Sequence, residues 1–298
     1  MNLPSEYVLQ LRHTAAQAIR SFFYTRKFWE VDTPVRLPAP APELHIVAEP
    51  AGEQYLRTSP ELHMKRMLAT GARNIFQLGP CFRAQEYGSR HRPEFMMLEW
   101  YRRDADYMII LQDMQDLISH VIDTVSSQTG LSPHFDPSIP WEIHTIQDIY
   151  RERAGWDPIF TFDPDRFDLD MINIIEPSLP PGHCSILMDY PSPVAALARR
   201  KPDNPLVAER WELYAGGLEL ANAFSELTDP VEQRERFEKA LEEKRMRGEV
   251  AYPLDEAFLA VLEDDGLPPC AGVALGFDRL LMALTGVEDI ACVLSFPH

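Results

Sequence analysis

The feature that most limits this chain lies between residues 81 and 103, which read CFRAQEYGSRHRPEFMMLEWYRR. Two strand-like runs, residues 74–83 and 93–103, flank a charged loop containing Gln85, Glu86, Gly88, Arg90, His91 and Arg92. Period-two alternation in the second run puts Phe95, Met97, Glu99 and Tyr101 on one face and Met96, Leu98 and Trp100 on the other. A carboxylate on so apolar a strand is costly unless a cation meets it. Glu99 therefore either pairs with a nearby Arg in a half-buried strand or belongs to a binding site. On the strand pattern alone, the ion pair is the commoner case.

Composition sets the wider bounds. The chain has 298 residues, 45% of them hydrophobic, enough for a sizeable core. Its net charge of −18 argues against an extensive grip on nucleic acid, which usually takes a basic face. The short basic clusters, Arg102-Arg103 and Arg199-Arg200-Lys201, read as solvated surface. Cys81, Cys184, Cys270 and Cys292 lack metal-ligand spacing and sit in apolar surroundings, so all four read as buried free thiols, as suits a reducing cytosol. The N-terminus has no signal-peptide layout, and no apolar run reaches the ~18 residues of a membrane helix. A soluble, cytoplasmic protein is expected.

Along the chain, Ser5 caps a helix running to about residue 26, with Val8, Leu11, Ala15, Ala18, Ile19 and Phe22 on one side. Residues 28–35 read as a strand leading to Pro34, 37–42 as a Pro/Ala loop and 54–59 as a short strand. Pro60 opens a helix to Leu68 that ends at Gly71. Further helices are read at 106–127, 145–154 and 229–247, and a buried strand at 185–190. The Pro- and Asp-rich segment 157–181 yields no assignment. Residues 270–276 read as a strand running into a helix at 277–284, with Arg279 in its first turn and Gly286 after it.

Residues 210–221 read as a hairpin turning at Gly216-Gly217, pairing Tyr214 with Glu219 and Glu212 with Ala221. Glu212 and Glu219 then lie on one face as diagonal neighbours, ~7 Å apart at the backbone. Such a pair is either two solvated carboxylates or an oxygen-ligand site for one Mg²⁺. Simple alternation leaves Asn222 on the opposite face, so a bulge or strand end near Ala221 is needed for it to join them. With no internal repeat and no low-complexity linker, residues 1–298 read as one domain.

FRAQE, HRPEF and MLEWY together resemble motif 2 of class II aminoacyl-tRNA synthetases, in the lysine branch. The opening helix and the strand ending in Pro34 resemble motif 1, the dimer-forming element, and GVALGFDR resembles the last motif. With TSPELHMKR, MDYP and ELANAFSEL the likeness covers nearly the whole chain. It is nearest to the lysyl-tRNA synthetase paralogues that lack an anticodon-binding domain and attach (R)-β-lysine to a lysine of elongation factor P. The resemblance implies an α/β (α+β) fold, an antiparallel sheet flanked by helices, and a homodimer that uses ATP and Mg²⁺. It further implies that Arg83 holds the α-phosphate and the substrate carboxylate, and that His91 reaches the outer phosphates. Phe95 and Arg279 would sandwich the adenine, and Glu212 and Glu219 would hold Mg²⁺. Ser59, Glu61, Glu99, Tyr101, Asn222, Glu226 and Ala274 would line the amino-acid pocket.

Two positions depart from the family text. FRNE is FRAQ, so Gln85 stands where an acid would meet the adenine amino group, and HNPEF is HRPEF, with Arg92 for Asn. The expected reaction is ATP-dependent activation of lysine or (R)-β-lysine as an adenylate, then transfer to elongation factor P. The alternatives are a stand-alone core that charges tRNA with lysine and a non-catalytic metabolite-binding paralogue.

Overall fold

The computed structural model describes residues 5–195 and 197–297. In chain order the strands are β1 (Trp29–Glu30), β2 (Arg36–Leu37), β3 (Pro50–Ala51), β4 (Gln54–Leu56), β5 (Asn74–Phe82), β6 (Glu94–Arg103), β7 (Glu142–Thr145), β8 (Ser185–Pro191), β9 (Val207–Ala215), β10 (Leu218–Ser225) and β11 (Cys270–Gly276). The α-helices are α1 (Glu6–Thr25), α2 (Glu61–Ala69), α3 (Tyr107–Thr129), α4 (Ile146–Ile149), α5 (Pro164–Asp170), α6 (Glu176–Ser178), α7 (Pro230–Met246), α8 (Glu256–Asp264) and α9 (Phe277–Thr285). Eight strands form one sheet in the order β1-β5-β6-β11-β10-β9-β8-β7, and β2-β4-β3 form a small second sheet. The large sheet is antiparallel through its centre, with parallel pairs at its two edges, β1 to β5 and β7 to β8. Among the described residues no helix is long and apolar enough to cross a membrane.

The alternation in β6 divides the molecule as its sequence required. Leu98 and Trp100 are fully buried in the main core, beside Phe76, Trp211 and Leu275 of neighbouring strands. Helices α1, α3 and α9 cover this face. Phe23 of α1 stacks on Phe76 with ring centroids 4.6 Å apart and meets Trp100 at 5.2 Å. Glu99 and Tyr101 point to the other face, which carries the site. The helix starts obey capping rules: Ser5 accepts from the Val8 N–H, and Asp229 accepts from the N–H groups of Val231 and Glu232 ahead of Pro230.

The hairpin turn falls at Gly216-Gly217, where both residues have positive φ, 62° and 74°. Tyr214 pairs with Glu219 as expected, but the register then shifts between Glu219 and Ala221. Glu212 consequently faces Asn222, not Ala221. This one-residue bulge brings Asn222 to the face that holds Glu212. Across four strands Glu99, Ala274, Asn222 and Glu212 are successive register partners and form one row.

Other expectations need correction. The strand read at 28–35 is reduced to Trp29–Glu30, because the Thr33 carbonyl accepts from the buried Arg57 guanidinium at 2.9 Å and Pro34 has no N–H to offer a ladder. Segment 157–181 hides a stripe, Phe167, Met171, Ile175 and Leu179, that packs on Tyr150, Tyr190 and Tyr214. A strict four-residue spacing outruns the α-helical turn, and the wider π turn at Met171–Ile175 takes up the difference. Helix α8, capped by Asp255, was not anticipated. Cys292 is exposed, whereas the other three thiols are buried. Four of the five side chains in the basic clusters are ion-paired: Arg102 with Asp113 (2.9 Å), Arg199 with Glu209 (2.6 Å), Arg200 with Glu232 (3.1 Å) and Lys201 with Asp189 (2.7 Å).

Gly272 is the register partner of Tyr101, and a Cβ there would lie 2.2 Å from the Tyr101 ring and 2.9 Å from Glu226. Gly272→Ala should therefore lower stability by about 1–3 kcal/mol, the usual cost of overpacking a filled site. Urea unfolding with an unchanged midpoint would show that the ring is not packed on this glycine.

Candidate active site

The face opposite the main core opens into a cavity of about 1250 Å³. Its floor is the row on β6, β11, β10 and β9. Glu99 is 1% exposed and accepts hydrogen bonds from Ser59 Oγ at 2.6 Å and from the Tyr101 hydroxyl at 3.0 Å. Ser59 is oriented by the start of α2, since its Oγ also accepts from the Glu61 N–H at 3.0 Å. The Arg partner that a structural ion pair would need is absent: among the described residues no cation pairs with Glu99. Burial first, and the nearby Glu61 charge second, push Glu99 up to about 8, against the pull of its two donors. Ala274 stands between Glu99 and Asn222 in the row and also lines the cavity.

Glu61 and Glu226 have a counter-ion from within the chain. Lys65 is fully buried, meets Glu61 at 2.5 Å and also pairs with Glu226. Burial pulls Lys65 down, but the two carboxylates outweigh it and hold the ammonium charged. Glu226 is thus placed behind the cavity wall with a partner of its own, not at the cavity surface with Glu61. Burial and the Glu61 charge push it up to about 8 as well.

At the other end of the row Glu212 is crowded with donors. Tyr190 and Tyr214 donate to one oxygen at 2.6 and 2.8 Å, and Arg210 donates to the other at 2.6 Å. Arg210 also donates to Asn222 at 3.0 Å, which fixes the amide. Glu219 faces the same space, and burial together with the Glu212 charge raises it above the usual carboxylate range.

The third part of the cavity is cationic. Arg279 donates to the Glu219 carbonyl at 3.0 Å and contacts His91, whose Nε2 must be the acceptor because a guanidinium has no lone pair to offer. Burial and the Arg279 charge push His91 down. Asp278 anchors the start of α9 by accepting from Arg12 at 2.6 Å and from the Met96 N–H at 2.8 Å. Phe95 lines the cavity under Arg83, whose guanidinium lies 5.2 Å from the ring centre. Gln85 is exposed with φ 68° and is not among the cavity-lining residues, whereas Glu86, Arg90, His91 and Arg92 of the same loop line it. Arg92 is turned back on its own loop, donating to the Gly88 and His91 carbonyls, and reaches Asp289 at 3.4 Å.

Sequence reasoning missed Glu43, Lys65, Glu86 and Arg210. Lys65 lies four residues after Glu61, and Arg210 two before Glu212, and both spacings put them on the face of their partners. Glu43 carried no such signal, since it follows a Pro/Ala loop.

Because Glu99 binds its proton more tightly folded than unfolded, its contribution to stability is fully present below the ordinary Glu value. It is lost as pH rises through about 8. Thermal unfolding of Glu99→Gln should therefore gain on the parent protein steadily from pH 5 to pH 8. Parallel curves for the two would contradict the unneutralised burial of Glu99.

The comparisons with known proteins agree with this geometry. The family of class II tRNA synthetases (D, K and N) matches residues 2–298. The elongation factor P–(R)-β-lysine ligase of Proteus mirabilis is 38% identical over 300 residues, covering 94% of this chain and 91% of that protein. The protein of that name from Klebsiella pneumoniae is 38% identical over 308 residues, covering 96% and 94%. That of Yersinia enterocolitica is 37% identical over 317 residues, covering 99% and 96%. With the family match spanning all but the first residue, and relatives so similar over so much of their length, the chain belongs to the class II tRNA synthetase (D, K and N) family.

Proposed function

We propose that this protein is an ATP-dependent, AMP-forming ligase that activates (R)-β-lysine and transfers it to the ε-amino group of a lysine on elongation factor P. The observation that carries the reading is Glu99, a buried carboxylate at the cavity floor that has hydroxyl donors but, among the described residues, no cation. A ligand ammonium would complete it. Lysine and β-lysine each bring two, into a region where Glu61 and Glu226 pair with Lys65 while, among the described residues, Glu43 and Glu99 pair with no cation. Glu212 lies three strand spacings, about 14 Å, from Glu99 along the row. That span fits an amino acid at one end and a nucleotide phosphate at the other. Ala274 lies between them, where its methyl would bear on the choice between α- and β-lysine.

In the first step a carboxylate oxygen of the amino acid attacks the α-phosphorus of ATP, the bond to the bridging oxygen breaks, and pyrophosphate leaves. Arg83 and Arg279 offset the charge that develops, and Phe95 and Arg279 supply a stack and a cation for the adenine. Of the neighbours Gln85 and Glu86 only Glu86 lines the cavity, so Glu86 replaces Gln85 as the acceptor offered to the adenine amino group. In the second step the neutral amine of the acceptor attacks the acyl carbon of the mixed anhydride. AMP leaves, an amide forms, and the amine's proton passes to solvent. No enzyme nucleophile is needed; the side chains position and neutralise.

Mg²⁺ is proposed at Glu212 and Glu219. Three of the four lone-pair positions of Glu212 are taken by Tyr190, Tyr214 and Arg210, so the pair offers few ligands and suits an ion that keeps waters and substrate phosphates. When bound, the ion neutralises phosphate charge. A protein acceptor is favoured over tRNA by the −18 charge and by the internal pairing of the basic clusters. A homodimer is supported by exposed Tyr24, Trp29 and Val35 on and after α1, and a cytoplasmic place by the three buried free thiols. The floor of the site lies on one sheet, and its remaining residues come from loops and helix starts that border that sheet, which favours a single catalytic domain.

The test separates the two steps. Amino-acid-dependent ATP–pyrophosphate exchange should be supported better by (R)-β-lysine than by α-lysine. Glu99→Gln should lower the specificity constant for the amino acid at least about thirtyfold while ATP affinity stays within about threefold. Label from β-lysine should then pass to elongation factor P and not to tRNA. Efficient labelling of tRNA alone, or no exchange with either amino acid, would overturn the proposal.

A further inference from the structure

A segment that the reaction scheme above does not use closes one side of the cavity. Residues 43–48 leave the Pro/Ala loop and run along its rim, where Glu43 and Ile46 line it. The segment is fastened from outside by α7 and by the chain that follows it. Lys244 of α7 is fully buried, yet its ammonium donates to two backbone carbonyls, Leu44 at 3.1 Å and Ile46 at 2.9 Å. Its nearest carboxylate, Glu249, is 3.5 Å away. The Tyr252 hydroxyl accepts from the Ala48 N–H at 2.7 Å. From inside, the Val47 carbonyl accepts from the Ala84 N–H at 2.7 Å, which ties the segment to the residue after Arg83.

An enclosed ammonium spent on two carbonyls is a costly way to hold a loop. What it holds in place is Glu43. Among the described residues the Glu43 carboxylate has no hydrogen bond or ion pair. The Glu61 charge acts on Glu43 from one side, and the charges of Arg83, Arg210 and Lys244 pull against it. Glu43 lines the cavity together with Glu61 and Arg83, between the acidic pocket and the cation that would meet the carboxylate end of an amino acid.

We propose that Lys244 is a positioning residue: it holds the 43–48 segment over the cavity so that Glu43 supplies the counter-charge for the substrate ammonium nearest the carboxylate. The inference rests on the reading of the cavity as an amino-acid-activating site. Glu99 takes the far ammonium and Glu43 the near one. The order of charges in the pocket then favours a diammonium acid over a mono-ammonium one.

Exchange assays on the full chain test this. Glu43→Gln and Lys244→Met should each raise KM for (R)-β-lysine about tenfold, with kcat and the KM for ATP within about threefold of the parent. Because one acts through the other, the double variant should be no worse than the poorer single. Lys244→Arg should restore most of the loss. ε-Aminocaproic acid, which lacks the near ammonium, should show the same KM in all of these proteins. Limited proteolysis within residues 43–48 should increase in Lys244→Met. The proposal is overturned if Glu43→Gln leaves the β-lysine KM unchanged, if ε-aminocaproic acid is affected equally, or if the two substitutions are additive. Should Lys244→Met not fold, Glu43→Gln decides alone, since it is a near-isosteric change at a half-buried loop side chain. Should the parent protein show no exchange at all, the activity reading fails first, and calorimetric binding of β-lysine to the parent and to Glu43→Gln still decides the role of Glu43.

Discussion

The structure turns on a carboxylate that the fold buries and leaves without a cation. Moving an ionised Glu out of water is expensive, and the usual remedies are a salt bridge or neutralisation. Glu99 has neither remedy in full: two hydroxyls donate to it, and burial raises it to about 8. A few residues away Lys65 gives Glu61 and Glu226 a conventional counter-ion. The contrast is informative because the same protein, in the same pocket, neutralises two acids and withholds that treatment from a third. The fold carries this cost at the place where a cationic ligand would remove it.

What aligns the rest of the site with Glu99 is register. Strand β11 pairs with both β6 and β10, so Ala274 sits opposite Glu99 on one side and Asn222 on the other. The bulge between Glu219 and Ala221 then puts Glu212 at the end of the row. Without that extra residue Asn222 would turn into the core and the row would stop at Ala274. The main core on the opposite face makes the row rigid, since Leu98, Trp100, Trp211 and Val273 alternate with the site residues on the same strands. Arg83 and Arg279 come from outside the sheet plane, on a loop and a helix start, and so close the cavity over the row.

The sequence made the central strand legible because one face of β6 is apolar and the other is not, and a period of two survives any register. It made the helix boundaries legible where Ser5, Asp229 and Gly286 act as caps. It could not show the bulge, since no glycine or proline marks Leu220 and the shift follows from pairing with β9. The stripe in segment 157–181 was masked because its apolar residues are four apart among Asp and Pro, and only a π turn reconciles that spacing with a helix. Glu43 and Lys244 were invisible for a different reason. They are 201 positions apart in numbering, in a loop and a helix that meet only in the folded chain. The motifs suggested which residues could share a site, but the absence of a cation beside Glu99 is a property of packing alone.

The central claim is that Glu99 waits for a ligand ammonium, and proton linkage measures this directly. Near neutral pH the free protein holds Glu99 largely protonated, and an ammonium beside it favours the carboxylate, so binding should release its proton. Calorimetric titration with (R)-β-lysine at pH 7, in buffers of different ionisation enthalpy, should show about one proton released by the parent protein, and correspondingly fewer by Glu99→Gln. Equal proton release by the two proteins, or none by either, would contradict the account.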